Sequence, residues 1–207
     1  MIEQVIQTFS EQFAYNPEIA NADKLEKKDG YVVVGMGGSH LAGDLIKTWD
    51  PKIHIVVYSD YGLNGIPDSV LENSLIITSS YSGNTEETVS VFEEAIQKGL
   101  SVAAISTGGK LLELAKEKGV PYVQLPDAGM QPRSALGYSI RGALKLMGNE
   151  KGLKETGVLA STLKPMLLEE QGKKLAVKLQ GKIPVIYSSQ RNESIAYNWR
   201  IKFHESA

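Results

Sequence analysis

Three short stretches of this sequence gather residues that hold anions or stabilise charge. The first is Gly35-Met36-Gly37-Gly38-Ser39, the second Ser79-Ser80-Tyr81-Ser82-Gly83-Asn84-Thr85, the third Gln131-Pro132-Arg133-Ser134. Glycines let backbone amides approach an anion closely, and the amides that open a helix carry partial positive charge. Serine and threonine hydroxyls add donors without adding charge. An arginine opening a helix can clamp a phosphate or stabilise an oxyanion. Each stretch also has a plainer reading. The glycines would make a tight strand–helix turn, one of Ser82, Asn84 or Thr85 would cap a helix, and a lone arginine is often surface charge. The second loop, however, holds more hydroxyls than one cap uses, with Glu86 and Glu87 well placed in a first helical turn. It reads as a phosphate cradle.

The elements around these stretches alternate. YVVVGMGG, HIVVYSD, LIITSSYSGN, SVAAIST and PYVQLP are apolar strands. Helical segments run from Ser39 to about Trp49, through TEETVSVFEEAIQKG and through KLLELAKEKG. Continuous β-branched runs separated by amphipathic helices predict an α/β protein with a doubly wound, five-stranded parallel sheet covered on both faces. The first thirty residues predict one or two helices, with a break at Asn16-Pro17. In such sheets ligands bind beyond the carboxyl ends of the strands, where the first two stretches fall. After the third, a helix is expected from about Ser134 to Met147, and GNEKGLKETG reads as a linker. The remainder offers a long helical segment with Pro165 near its start, one apolar strand PVIYSS, and a last helix ESIAYNWRIKFHESA. A single strand cannot make a sheet. The expectation is therefore an anion-binding α/β domain over 1–150, and over 151–207 a linker helix with the incomplete start of a second α/β unit.

Composition narrows the classes. A formal charge of −2 argues against an electrostatically driven nucleic-acid binder. No apolar run approaches a membrane span, and MIEQVIQTFSEQF lacks the basic start and continuous apolar stretch of a signal peptide. Without cysteine there is no disulfide or thiolate metal site. His40, His54 and His204 lie far apart and show no metal-ligand spacing. A cytoplasmic protein without metal is expected. G-x-G-G-S falls short of the dinucleotide fingerprint, which disfavours a nucleotide-dependent oxidoreductase, while Asp60 at the end of HIVVYSD stands where a ribose-binding carboxylate would be and keeps a nucleotide site open.

Taken together, GMGGS at 35–39, SYSGNTEET at 80–88 and QPRSALGY at 131–138 resemble the sugar isomerase (SIS) fold. More narrowly, they resemble the bifunctional phosphoglucose/phosphomannose isomerase family of bacteria and archaea. The resemblance implies that Ser80, Ser82 and Thr85 hold a sugar phosphate. It implies that Gly37, Gly38 and Ser39 face the sugar, and that Arg133 sits over the reacting carbons. It also implies a glutamate base within a motif like Asn-Glu-Asn, for which His204-Glu205-Ser206 makes Glu205 the matching candidate. The family's flanking asparagines are replaced here, His40-Leu41 stand where smaller residues are usual, and no histidine matches the family's ring-opening residue. From position alone Glu205 is an ordinary helix glutamate. The implied activity is interconversion of glucose 6-phosphate, and of mannose 6-phosphate, with fructose 6-phosphate through an enediol, by a homodimer needing no cofactor. A non-catalytic phosphosugar sensor is the competing class.

Overall fold

A computed structural model describes residues 2–206. Five strands, β1 (Gly30–Val34), β2 (His54–Tyr58), β3 (Ser74–Ser79), β4 (Val102–Ser106) and β5 (Tyr122–Gln124), form one parallel sheet in the order β2-β1-β3-β4-β5. Tyr31 stands opposite Ile55 on one side and Leu75 on the other. The expected five-stranded doubly wound sheet is present.

Strand side chains alternate between two apolar layers, as their period of two demands. Val33, Leu75, Ile77, Ala103 and Ile105 face α2 (Leu41–Trp49) and α6 (Leu136–Leu146). Val32, Val34, Ile76 and Ala104 face α4 (Glu86–Gln97) and α5 (Gly109–Lys118), with the short α3 (Asp68–Glu72) beside them. Burial on both faces explains why the inner strands read as continuous apolar runs. The β5 edge is covered by the N-terminal segment, which exchanges Ala20 and Tyr122 backbone bonds of 2.9 and 3.2 Å. That segment carries α1 (Ile2–Gln7) and a 3-10 turn over Phe9–Ala14.

Two expectations need correction. GNEKGLKETG is no linker, because α7 runs over Glu150–Thr162 with Asn149 capping it through Gly152 N at 2.8 Å. Buried Arg141 binds α7 to α6, donating to the Leu153 carbonyl at 2.9 Å and to Thr156 Oγ1 at 3.2 Å, and it also reaches the Tyr15 carbonyl. PVIYSS is no strand here. Residues 183–189 are exposed and lie beside no strand among the described residues, and strand geometry needs a neighbour to take its amides. The same exposure runs through α8 (Glu169–Leu179), where Val177 is 71% accessible. Trp49, at the end of α2, is partly exposed and donates to Glu155 Oε2 at 3.1 Å.

The last helix, α9 (Glu193–Ser206), returns to the sheet. Ile201 is buried in the layer of α2 and α6, and one turn earlier Tyr197 meets His40. These anchors carry the end of α9 to the mouth of β1.

Candidate active site

The strand order reverses between β1 and β3. Chain connections leave those two strands in opposite directions and open a crevice at their carboxyl ends. The glycine loop follows β1 and the hydroxyl loop follows β3, so both border this crevice.

In the glycine loop, Gly37 adopts the left-handed backbone (φ +53°), which a residue without Cβ takes without cost. Gly38 serves a different end. A methyl group there would strike the backbone N of Arg133 and approach Pro132 C to 2.9 Å, so its bareness lets the Pro132–Ser134 turn rest directly on the loop. Ser39 is buried, and its Oγ accepts from Tyr81 N at 3.3 Å, tying the glycine loop to the hydroxyl loop.

In the hydroxyl loop, Ser80 is fully buried, its amide paired with the Ile105 carbonyl at 3.0 Å. Its Oγ accepts from Gly83 N at 3.0 Å and lies 2.8 Å from Thr85 Oγ1. Gly83 is left-handed (φ +76°) and packs against the Gly108 carbonyl of the next loop, where a side chain has no room. Thr85 is the N-cap residue of α4 but makes no side-chain cap bond. Ser82 is exposed, with its Oγ 3.3 Å from Asn84 N. Asn84 accepts from Lys110 N at 3.0 Å, which fastens the loop to α5. Exposed Ser82 and half-buried Thr85 thus stand at the opening of α4, backed by Ser80.

Arg133 is 8% exposed and crosses to α9. Its Nη1 donates to Glu205 Oε2 at 2.8 Å and its Nη2 to the Glu205 carbonyl at 2.7 Å. Charge-assisted bonds of this length fix both partners. The other carboxylate oxygen, Oε1, looks toward Gly37, where a Cβ would stand 4.0 Å away. The pair sequence reading singled out, separated by 72 positions, is in direct contact. The expected residues meet in one chain of contacts, from the hydroxyl loop through Ser39 and the glycine loop to Arg133 and Glu205. A cavity of about 990 Å³ opens beside Arg133, between α1, α8 and α9, and the hydroxyl loop does not line it.

Two residues were missed. Lys202 Nζ donates to the Arg133 carbonyl at 3.0 Å. Its spacing of three from Glu205 would have placed both on one helical face, had Arg133 been known to face it. Tyr197 had no signal, because its partner His40 lies 157 positions away. His40 itself, buried after Ser39, is held by Asp44 Oδ2 at 2.6 Å and Tyr197 Oη at 3.2 Å. Asp60 takes its own neighbour's amide, Tyr61 N, at 2.8 Å. No group of three or more potential metal-ligating side chains occurs among the described residues, and no helix among them is long and apolar enough to cross a membrane.

Residues 168–207 match a family model, the bacterial phospho-glucose isomerase C-terminal SIS domain. The bifunctional phosphoglucose/phosphomannose isomerase of Caldicellulosiruptor bescii is 38% identical over 201 residues, covering 89% of this chain and 58% of that protein. The Aquifex aeolicus protein of the same name is 36% identical over 212 residues, covering 100% of this chain and 63% of its own. Among solved structures, the C-terminal domain of glucosamine-fructose-6-phosphate aminotransferase from Francisella tularensis superposes with a TM-score of 0.67. It covers 99% of this chain and 65% of that one at 16% identity, a likeness of fold alone. The chain spans less than two thirds of the length of these curated relatives. Over that span, the chain is similar to bifunctional phosphoglucose/phosphomannose isomerases, and its sheet has the SIS fold.

Proposed function

We propose that this chain supplies the phosphate-binding loop, the charge-stabilising arginine and the base of an aldose–ketose isomerase. Its substrates are glucose 6-phosphate and mannose 6-phosphate, interconverted with fructose 6-phosphate. The observation that carries the reading is the Arg133–Glu205 pair seated against Gly37 and Gly38 at the mouth of β1.

The sugar phosphate is held by Ser80, Ser82 and Thr85 with the amides that open α4, a remote grip that orients the reacting carbons. Gly37 leaves room for the sugar, while Gly38 and Ser39 join the glycine loop to the arginine turn and to the hydroxyl loop. Glu205 removes the proton from C2 of the aldose, and the C–H electron pair becomes the enediol double bond as the C1 carbonyl oxygen takes up charge. Arg133 stabilises that developing oxyanion. Return of the proton from Glu205 to C1, with transfer of the proton on O2 to the O1 oxyanion, yields the ketose. The same arginine keeps the carboxylate oriented between turnovers. The resemblance of the three loops implies a homodimer acting in the cytoplasm.

The test is a coupled assay of fructose 6-phosphate conversion in the protein carrying this chain. Glu205→Gln is expected to lower kcat by roughly 10²–10⁴-fold while fructose 6-phosphate affinity stays within a few-fold. Binding without turnover in the unsubstituted protein would overturn the reading in favour of a sensor.

A further inference from the structure

We propose that Lys202 is a positioning residue that sets Arg133 against Glu205 by holding the arginine's own carbonyl. The inference rests on the isomerase reading above. Arg133 lies in a turn only three residues long, Pro132–Ser134. Within it the carbonyls of Gln131 and Pro132 take the amides of Ser134 and Ala135 at 2.8 and 3.1 Å. The Arg133 carbonyl takes the Lys202 ammonium at 3.0 Å. Lys202 and Glu205 are three residues apart on α9 and therefore share a face. That face grips residue 133 at three atoms: Nη1 through Glu205 Oε2, Nη2 through the Glu205 carbonyl, and the backbone O through Lys202. The guanidinium and its own peptide are thus referenced to one helix, and the turn cannot rock without breaking one of these bonds.

The placement has an electrostatic cost. Burial, and then the neighbouring Arg133 cation, hold the Lys202 ammonium below the usual lysine range, while Glu205 opposes them. Glu3, Glu169 and Lys173 line the same cavity. What offsets the cost is the carbonyl bond and the attraction of Glu205. The turn also rests on Gly38, so a slip of Arg133 would disturb the glycine loop with it. Lys202 is therefore expected to govern the chemical step rather than capture of the phosphate.

The experiment compares Lys202→Gln and Lys202→Arg in the protein carrying this chain. For Lys202→Gln, kcat is expected to fall about ten- to a hundredfold, the cost of a small misplacement of catalytic groups, with KM within about twofold. Lys202→Arg, which keeps a long cationic donor, should recover most of the loss. Unchanged kcat in Lys202→Gln overturns the assignment. So does a joint loss of kcat, KM and thermal stability that arginine does not rescue, which would mark a merely structural lysine. An unsubstituted protein without turnover refutes the isomerase reading instead. Lys202 is then judged by the crystal structure of Lys202→Gln, where an undisturbed Arg133–Glu205 contact would refute it.

Discussion

Thr85 stands at the head of α4, yet its hydroxyl lies 2.8 Å from Ser80 Oγ and makes no cap bond to the helix. A threonine serving as a cap would be spent on an amide of the first turn. Here two hydroxyls hold each other beside amides that no N-cap side chain satisfies. An arriving phosphate offers these groups acceptor oxygens, and a hydroxyl can rotate to meet them.

Ser82→Ala combined with Thr85→Ala should therefore weaken fructose 6-phosphate binding by about two to four orders of magnitude, the worth of two hydrogen bonds to a charged group. Because neither side chain caps α4, the unfolding free energy should change only by the net worth of the Ser80–Thr85 and Asn84–Ser82 bonds, about 1–3 kcal/mol. Isothermal titration and urea unfolding read the two quantities. Unchanged affinity would count against the loop as a phosphate site.

The glycines of the first loop make separable predictions. Gly38→Ala puts a methyl group into the Arg133 and Pro132 backbone and should cost about 1–3 kcal/mol, as overpacking does. Gly37→Ala meets nothing nearer than Glu205 Oε1 at 4.0 Å and pays only for its left-handed backbone, about 1–2 kcal/mol. The difference should be larger in activity than in stability, since only Gly38→Ala pushes on the arginine's peptide. Equal kcat in the two variants would show that the turn does not depend on that close approach.

The sheet and three of the site's loops were legible because each is a local signal. An apolar run of about five residues, a glycine pair and a cluster of hydroxyls each carry their meaning within ten positions. What could not be read locally is what joins them. Nothing in GNEKGLKETG announces a helix, since its glycines and charges suit a linker. The structure nevertheless holds it as α7 through the buried Arg141, whose acceptors lie at Tyr15, Leu153 and Thr156. An arginine at that place in a sequence looks like surface charge. PVIYSS fails for the converse reason. Its residues favour a strand, but a strand is a relation to a neighbour, and none of the described residues supplies one. Glu205 lies between these cases. Its position was readable by resemblance, while its contact with Arg133 needed the docking of Ile201 and Tyr197 to bring α9 back.

A last prediction concerns the loop between β2 and α3, which Ser59 ties to the Gly35 carbonyl and Tyr61 to Glu86 of α4. Glu94 of α4 pins it, accepting from Leu63 N at 2.8 Å while Lys98 Nζ lies 2.8 Å from its other oxygen. The Lys98 bond, with help from the Leu63 amide and against some burial, holds this carboxyl below the ordinary value of 4.5. The folded state then binds fewer protons than the unfolded state just below that value, so stability rises with pH across the window. The contribution is complete above the unfolded value and disappears as pH falls through the folded one. Glu94→Gln should thus be less stable than the parent by about 1 kcal/mol near neutrality, the worth of one net hydrogen bond. The gap should close in acid well below 4.5, once the parent's carboxylate is protonated in the folded state as well. Urea midpoints measured at both pH values decide the matter. A gap that stays constant would mean that the carboxylate's charge plays no part in holding Leu63.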